Sequence, residues 1–541
     1  MFVTLFFISL GTLLLIFSIK NFVIDFFQIL FPNVNWETYD EIIQLMVYLY
    51  ILIFYFLSFL FFYFEYFKRL NFYKKIIENI KIFFKSLFQN NQSSQNSFYF
   101  FNDKIFILIF FIGALIRFYK LQFNITYDES ATYLDYINGG FTDLFFYKLP
   151  NNHVFHSILA KISVNIFGDN QYTLRLPALI FGLLNIILIY NLGRKIKDRS
   201  TGLIASFLMS CSTLIIHFDT IARGYSIKTA FVLLLFYFSL KYLETSKFKF
   251  LFLMSIVSSF GFFTITSFII PFFGILMWLF FELLQKRKQY LNKVIYDMFF
   301  LSLMTFIFSV FFYTPTIILG RGIDQFSNIH LTPNVQYPDD ILIFFNEASN
   351  QFFFSSTIIQ SIVIILIGYI YFRKKELFTF LFFQIFSTIC IIFIIKTIPP
   401  TRILVFLLPL IIIIVSFSIS IFFERHKKKL QLLLPFLQTL IMTFYIEKKI
   451  LTDNGFPEFS SVLVFLKELP RGSNIGSNDM LYYKTLKYYM NINDMGYPYS
   501  FNTEEINYPF FIVTKKSFEI EDEKFKQVFK KGNVQIFKVN K

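Results

Sequence analysis

Long apolar blocks, each closed by a short group of charged residues, recur along most of this chain. A hydrocarbon core about 30 Å thick needs roughly 20 apolar residues per helical crossing. The blocks predict crossings at 2–20, 42–63, 103–120, 174–192, 201–217, 226–243, 250–264, 266–281, 298–318, 352–371, 377–395, 403–423 and 431–446. The two between 250 and 281 are short, as tilted or broken helices are. The first block has no basic flank and no small-residue cleavage pattern before Lys20, so it reads as an uncleaved helix rather than a signal peptide. The pattern is that of a polytopic all-α membrane protein with about 13 transmembrane helices. It lends no support to a soluble enzyme.

Three stretches break the pattern. Two connections, 121–173 and 319–351, are too long to be simple turns. Within the first, Phe155, Ile158, Leu159, Ile162 and Ile166 share one side of a helix over 154–167, which suits a helix lying in the interface with that side against lipid or the bundle. The second, rich in turn formers, reads as a polar loop. The segment 64–102 is basic with apolar residues at helical spacing, as expected of a chain lying on an anionic membrane surface. After Lys448 the character changes: VLVFL, PFFIVT and NVQIFKV read as strands and LYYKTLKYYM as a helix. The organisation expected is two amino-terminal helices with a basic linker (1–100), a membrane domain (101–447) and a small extracytoplasmic α/β domain (448–541).

The 541 residues are 56% hydrophobic and 16% charged, which removes the soluble classes, and the net charge of +15 raises nucleic acid as a partner. The basic residues instead sit at the ends of apolar blocks. Lys68 to Lys85, Arg194 to Arg199, Lys241 to Lys249, Lys286 to Lys288, Arg373 to Lys375 and Arg425 to Lys429 mark every second connection as cytoplasmic. The connections between them, and the carboxyl end, then face outward from a plasma or inner membrane. Charge thus reports topology and excludes nucleic acid. Cys211 and Cys390 both lie in apolar blocks, as small hydrophobes rather than a disulfide or metal framework. The 84 Phe follow the apolar composition and carry no function of their own.

Candidate chemistry gathers at the outward rim. Asp128 and Glu129 directly follow the third crossing; a carboxylate partly withdrawn from water there can accept a proton from a hydroxyl, while the plain alternative is a solvated helix cap. His217, Asp219, Arg223 and Tyr225 lie in IHFDTIARGYS, and Arg402 opens a crossing after Pro399 and Pro400. Arginines at that depth either snorkel as anchors or clamp a phosphate. Arg175 in TLRLPA has the same two readings. His153 and His156 are three apart with no third local ligand, so substrate contacts or plain loop histidines outrank zinc. Asp135 and Asp143 are weaker candidates, as ordinary loop acids.

The DE pair, NNHVFH, RLPALIFG, ARGYS and PPTRILVFLLPL, in this order and on one membrane side, resemble the GT-C superfamily of polyprenyl-phosphate-sugar-dependent glycosyltransferases over about residues 100–423. The nearer likeness is to its bacterial protein-mannosyltransferase-like branch, which includes the aminoarabinose transferases. The resemblance implies Asp128 as general base on an acceptor hydroxyl and Glu129 as its partner acid. It also implies Arg402 on the donor phosphate, with Arg223 and Tyr225 beside the lipid phosphate or sugar. Where the family commonly has a His-Pro-Pro-type element, this chain has NNHVFH, from which His153 is carried over.

The activity so implied is an inverting transfer of sugar from a polyprenyl-phosphate donor to a lipid, glycan or protein hydroxyl on the extracytoplasmic face. No cofactor is required by the motifs, and a divalent cation is left open. The rivals are a transporter or flippase for a lipid-linked glycan and a pyrophosphate-dependent glycan ligase or polymerase. A transporter favours ionisable residues at mid-helix. The sequence shows no internal repeat.

Overall fold

The computed structural model describes residues 103–146, 152–286, 291–318, 339–353, 355–422 and 424, and, towards the carboxyl end, 459–469, 474–477, 480–492, 499–501, 510–515, 525–531 and 534–539. The crossings expected at 2–20, 42–63 and 431–446, the linker 64–102 and most of the polar connection 319–351 lie outside these residues.

The membrane domain is a bundle of helices. Asp103 starts α1 (Lys104–Lys120) by accepting the backbone N–H groups of Ile105 and Phe106, as an N-cap carboxylate does. There follow α2 (Tyr127–Thr132), α3 (Val154–Phe167), α4 (Gln171–Ile196), α5 (Arg199–Cys211), α6 (Thr213–Asp219) and α7 (Tyr225–Thr245). The chain continues through α8 (Phe248–Thr264), α9 (Ile269–Lys286), α10 (Leu291–Ile318), α11 (Asp339–Phe353), α12 (Thr357–Arg373), α13 (Lys375–Ile395) and α14 (Leu407–Phe422). Among the described residues, 5 helices are long and apolar enough to cross a membrane, or up to 7 if each of two bent pairs is one span.

The bent pairs revise two expectations. The crossing read at 201–217 is broken at Ser212, whose extended backbone bends α5 against α6 by 69°. Residues 339–351, read as polar loop, belong to α11. Asp339 and Asp340 occupy its first turn, where the helix dipole favours carboxylates. Ile341, Phe344, Ala348 and Phe352 then bury one face. The break expected between the two short crossings near 265 is present as a 3₁₀ turn, Thr266–Phe268, leading into α9.

Two ends of the bundle are chemically distinct. One is laced by ion pairs: Arg199 with Asp103, Lys195 with Glu244, and Lys286 with Glu376. At the other, the short elements after α1, before α7 and before α14 converge. α3 lies among these, and its polarity is inverted relative to a soluble helix. His156, Ser157, Ala160 and Ser163 are buried, whereas Phe155, Ile158, Leu159 and Ile162 are half-buried and Ile166 is exposed. Small and polar groups face protein on one side, and on the other Phe155 packs on Phe231, Phe260 and Phe263 and Leu159 on the bundle core, while Ile166 is left exposed.

At the carboxyl end, α15 (Phe459–Lys467), β1 (Asn474–Ser477), α16 (Met480–Ile492), β2 (Tyr499–Phe501), β3 (Phe510–Lys515), β4 (Phe525–Lys531) and β5 (Val534–Val539) build a five-stranded sheet of order β2-β1-β3-β5-β4. β1 is parallel to β2 and β3, and β5 is antiparallel to β3 and β4. VLVFL, expected as a strand, is instead helical within α15. Val462, Phe465, Leu466 and Leu469 pack at spacings of three and four, so the helical period wins over β-branched content. The same core takes in Ile125, Tyr133 and Ile137 from the connection after α1. That connection is therefore sandwiched between bundle and sheet domain.

Candidate active site

Asp128 and Glu129 occupy the first turn of α2, and their fates differ because successive helical residues point about 100° apart. Glu129 turns inward. Thr126 accepts the Glu129 backbone N–H, and the Glu129 carboxylate accepts the Thr126 N–H at 2.8 Å, a reciprocal capping box. The same carboxylate takes Arg175 Nε at 2.6 Å, Arg175 Nη2 at 2.8 Å and the backbone N–H of Ala222 at 2.7 Å. Burial pushes this carboxyl up, but the Arg175 charge and these hydrogen bonds hold it below its usual range.

Arg175, in the first turns of α4, donates to the carbonyl oxygens of Leu121, Phe123 and Asn124 as well as to Glu129. All of its guanidinium N–H donors are then engaged. It binds the backbone leading out of α1 and is not available to a phosphate in this arrangement.

Asp128 turns outward and pairs with Arg402, Nη1 to Oδ2 at 2.7 Å. The two residues are 274 positions apart in sequence. Arg402 stands on a 3₁₀ turn, Thr401–Leu404, set by the extended Pro400 before it. Their side chains are 27% and 42% exposed. An ion pair so open to solvent is weak and easily exchanged.

Behind this pair lies a buried group. Arg223, in the turn between α6 and α7, donates to the Thr132 hydroxyl at 2.7 Å, and its Nη2 approaches His153 Nε2 at 3.4 Å. His153 Nδ1 accepts the Gly224 N–H at 2.8 Å, so the neutral ring carries its proton on Nε2. Burial, and after it the charges of Arg223, Arg402 and Lys228, hold this ring well below its usual range. A side chain at 224 would meet Thr264 Cγ2 at 2.8 Å and the His153 ring at 3.2 Å, so the glycine of ARGYS is what lets histidine and turn touch. Tyr225 lies edge-on to His153, with ring centroids 5.2 Å apart.

His156, one turn further along α3, is fully buried, and neither ring nitrogen has a hydrogen-bond partner. Burial and then the Arg223 charge push it down to about 3. His217 is half-buried on α6, edge-on to Phe218 at 5.1 Å. Asp219 belongs to a buried ion pair with Arg117 of α1, at 2.7 Å. Asp143 caps its own turn at Gly140, and Asp135 pairs with Lys484 of α16. Among the described residues there is no group of three His, Cys, Asp or Glu side chains that could hold a metal ion.

Lys228 joins this buried group, and a lysine inside the crossing expected at 226–243 is itself a sequence signal of function. It stands beneath the Arg402 turn, donating to the Ile403 carbonyl at 3.0 Å. Four residues of α16 also brace the site. Tyr489 accepts the Ile125 N–H at 2.8 Å and reaches the Asn124 side chain, Thr485 meets Ser130, Lys484 holds Asp135, and Tyr488 packs edge-on to Tyr133. Nothing in the local sequence of α16 signals those contacts, which join positions some 350 residues apart.

Comparison with known proteins bears on family and fold. The family model described as dolichyl-phosphate-mannose-protein mannosyltransferase matches residues 153–311, the stretch from His153 through Arg175, Arg223 and Lys228 into α10. No curated protein matches the sequence. ArnT from Cupriavidus metallidurans in the apo state shares the fold, at a TM-score of 0.52 and 11% identity over 80% of this chain and 97% of that one. The same protein bound to undecaprenyl phosphate superposes at 0.48 with 10% identity over 80% and 97%. The oligosaccharyltransferase of Archaeoglobus fulgidus tethered with an acceptor peptide superposes at 0.45 with 12% identity over 74% and 64%. The resemblance to GT-C glycosyltransferases carried by the motifs is borne out by the family match and by the shared ArnT fold.

Proposed function

We propose that this chain is a membrane glycosyltransferase that moves a sugar from a polyprenyl-phosphate donor to a hydroxyl acceptor at the extracytoplasmic face, with Asp128 as general base. The observation that carries the reading is the Asp128–Arg402 pair, which sets a solvent-open carboxylate against a solvent-open guanidinium at the rim of the bundle. The family match, named for a lipid-phosphate-sugar reaction, supports the substrate class.

The donor is a phosphodiester with one negative charge. Its phosphate exchanges for Asp128 on Arg402, at small cost because the pair is exposed. Asp128, released, takes the proton of the acceptor hydroxyl as that oxygen attacks the anomeric carbon. The bond from that carbon to the phosphate oxygen breaks, and the polyprenyl phosphate leaves with the electron pair and a second negative charge. Arg402 meets that growing charge, and Arg223 adds to the positive potential. One displacement of this kind inverts the anomeric centre.

Glu129 and Arg175 act as the frame. Their buried pair fixes α2 against α4, so that Asp128 emerges at the rim. His153 holds the Arg223–Gly224 turn as a neutral acceptor, and Tyr225 closes the ring contact. The catalytic centre and the sheet domain then face outward, as the alternating basic connections require.

The test is transfer of radiolabelled sugar from a panel of polyprenyl-phosphate sugars in membranes containing the intact protein or Asp128→Asn. Transfer by the intact protein that is lost in the variant at equal protein level is expected. Equal transfer by both proteins removes Asp128 as base.

A further inference from the structure

Lys228 sits one turn into α7, three residues past Tyr225, and is 1% exposed. Its ammonium donates to the Ser267 carbonyl at 3.3 Å, the Ser267 hydroxyl at 3.0 Å and the Ile403 carbonyl at 3.0 Å. The Phe406 ring lies 4.9 Å away. Three N–H donors thus meet three neutral oxygens, and among the described residues no carboxylate forms an ion pair with it. This is an expensive arrangement. Burying an ammonium without a counter-charge is costly, and the positive end of the α7 dipole is close by. A methionine would fill the same space without that cost.

The three bonds explain what the lysine achieves. They join α7, the 3₁₀ turn Thr266–Phe268 that breaks the α8–α9 connection, and the 3₁₀ turn Thr401–Leu404. The third ends on Ile403, the residue after Arg402. Within its own turn, the Arg402 backbone is held by short 3₁₀ bonds, Ile403 N–H to Pro400 and Val405 N–H to Arg402, and the Thr401 hydroxyl ties the start of the turn to Gln351 of α11 at 3.0 Å. Such 3₁₀ bonds are weaker than those of an α-helix. Fixed points outside the turn keep a half-exposed arginine aimed at one place, and the Lys228 ammonium supplies the one on the carbonyl directly after Arg402.

We infer that Lys228 is a positioning residue for Arg402, holding the Thr401–Leu404 turn to α7 beneath the place where an anionic phosphate group binds. The identity of that ligand rests on the glycosyltransferase reading; the bonds of Lys228 do not. Lys228 touches no substrate in this arrangement and acts through the arginine.

The test uses the full chain in lipid nanodiscs, with undecaprenyl phosphate as the binding probe and sugar transfer as a second readout. Four proteins form a cycle: wild type, Lys228→Met, Arg402→Ala and the double variant. Lys228→Met is expected to weaken undecaprenyl phosphate by about tenfold, the effect of one hydrogen bond to a charged group. In the Arg402→Ala background it has no further effect. The donor KM rises in parallel while the acceptor KM stays in place. Equal weakening in both backgrounds, or no weakening in either, overturns the inference. Should Lys228→Met fail to accumulate, Ser267→Ala removes one of the same acceptors more gently, and its effect must likewise vanish without Arg402. A wild type that neither binds the probe nor transfers sugar overturns the glycosyltransferase reading and the ligand assignment with it. Binding by the wild type with an additive cycle sinks the Lys228 inference alone.

Discussion

Replacing Glu129 by glutamine removes one negative charge from a fully buried site and leaves its shape almost unchanged. The Glu129 carboxylate accepts from Arg175 Nε and Nη2, from the Ala222 N–H and from the Thr126 N–H. A glutamine keeps one oxygen for two of these donors and turns an NH₂ group toward the others, so Arg175 stays buried facing a donor rather than a charge. Breaking one side of a buried ion pair in this way costs about 3–5 kcal/mol. That is roughly two to three and a half decades in an equilibrium constant, at about 1.4 kcal/mol per decade. Removing both charges costs less, because no uncompensated ion remains. Glu129→Gln with Arg175→Met is therefore expected to melt above Glu129→Gln alone. Thermal unfolding of the purified proteins in detergent reads the order directly: wild type, then the double variant, then the single one. The pH dependence has a definite sign as well. Because the folded carboxyl lies below its ordinary value of 4.5, its contribution is present above that value and is lost as pH falls through the folded one. A single variant as stable as wild type, or a double variant less stable than the single, refutes the framing role given to this pair.

Two further perturbations test other parts of the site. His156 falls from an ordinary value of 6.5 to about 3 when folded, so the native state loses stability as pH drops between those values; His156→Leu, which removes two unpartnered buried nitrogens, is expected to match wild type at pH 7.5 within about 1 kcal/mol and to melt above it at pH 5, whereas parallel melting curves at both pH values contradict this. Tyr489→Phe removes the hydroxyl that holds Ile125 and Asn124 and is expected to cost about 1–2 kcal/mol; in transfer assays it lowers kcat with the donor KM unchanged, and an unchanged kcat denies α16 its bracing role.

Much of the site was legible because each residue type announced its own chemistry. Asp128 and Arg402 stand out as charges at the ends of apolar blocks, where solubility alone does not require them. Glu129 and Arg175 stood out for the same reason, but their pairing was not readable. Both carry the signature of a catalytic acid or a phosphate clamp, and only the closure of α2 onto α4 turns them into a buried frame. His153 was found through its place in NNHVFH, while its use as an acceptor for Gly224 depends on a turn 71 residues away. Lys228 went unread because one lysine in an apolar block resembles an ordinary snorkelling anchor until its three acceptors are seen. In the sheet domain, VLVFL misled because β-branched content and helical period give opposite answers over five residues, and the partners of Val462 and Leu466 decide between them.

What the sequence determined by itself is whatever the solvent dictates one segment at a time. Apolar length sets which segments can span a bilayer, charged ends predict how they are oriented, and turn formers such as Pro400 mark where they stop. Those constraints are local, since each block meets lipid or water on its own account. The tertiary structure alone decided which charges cancel and which remain open. Asp128 and Glu129 are neighbours in sequence with one composition and one exposure rule, yet one is a half-open partner of Arg402 and the other is sealed against Arg175. The difference arises from the 100° turn between successive helical residues and from where the chain returns, some 46 residues later in one case and 274 in the other. Electrostatic free energy depends on distance and on burial, and neither exists until those distant segments meet.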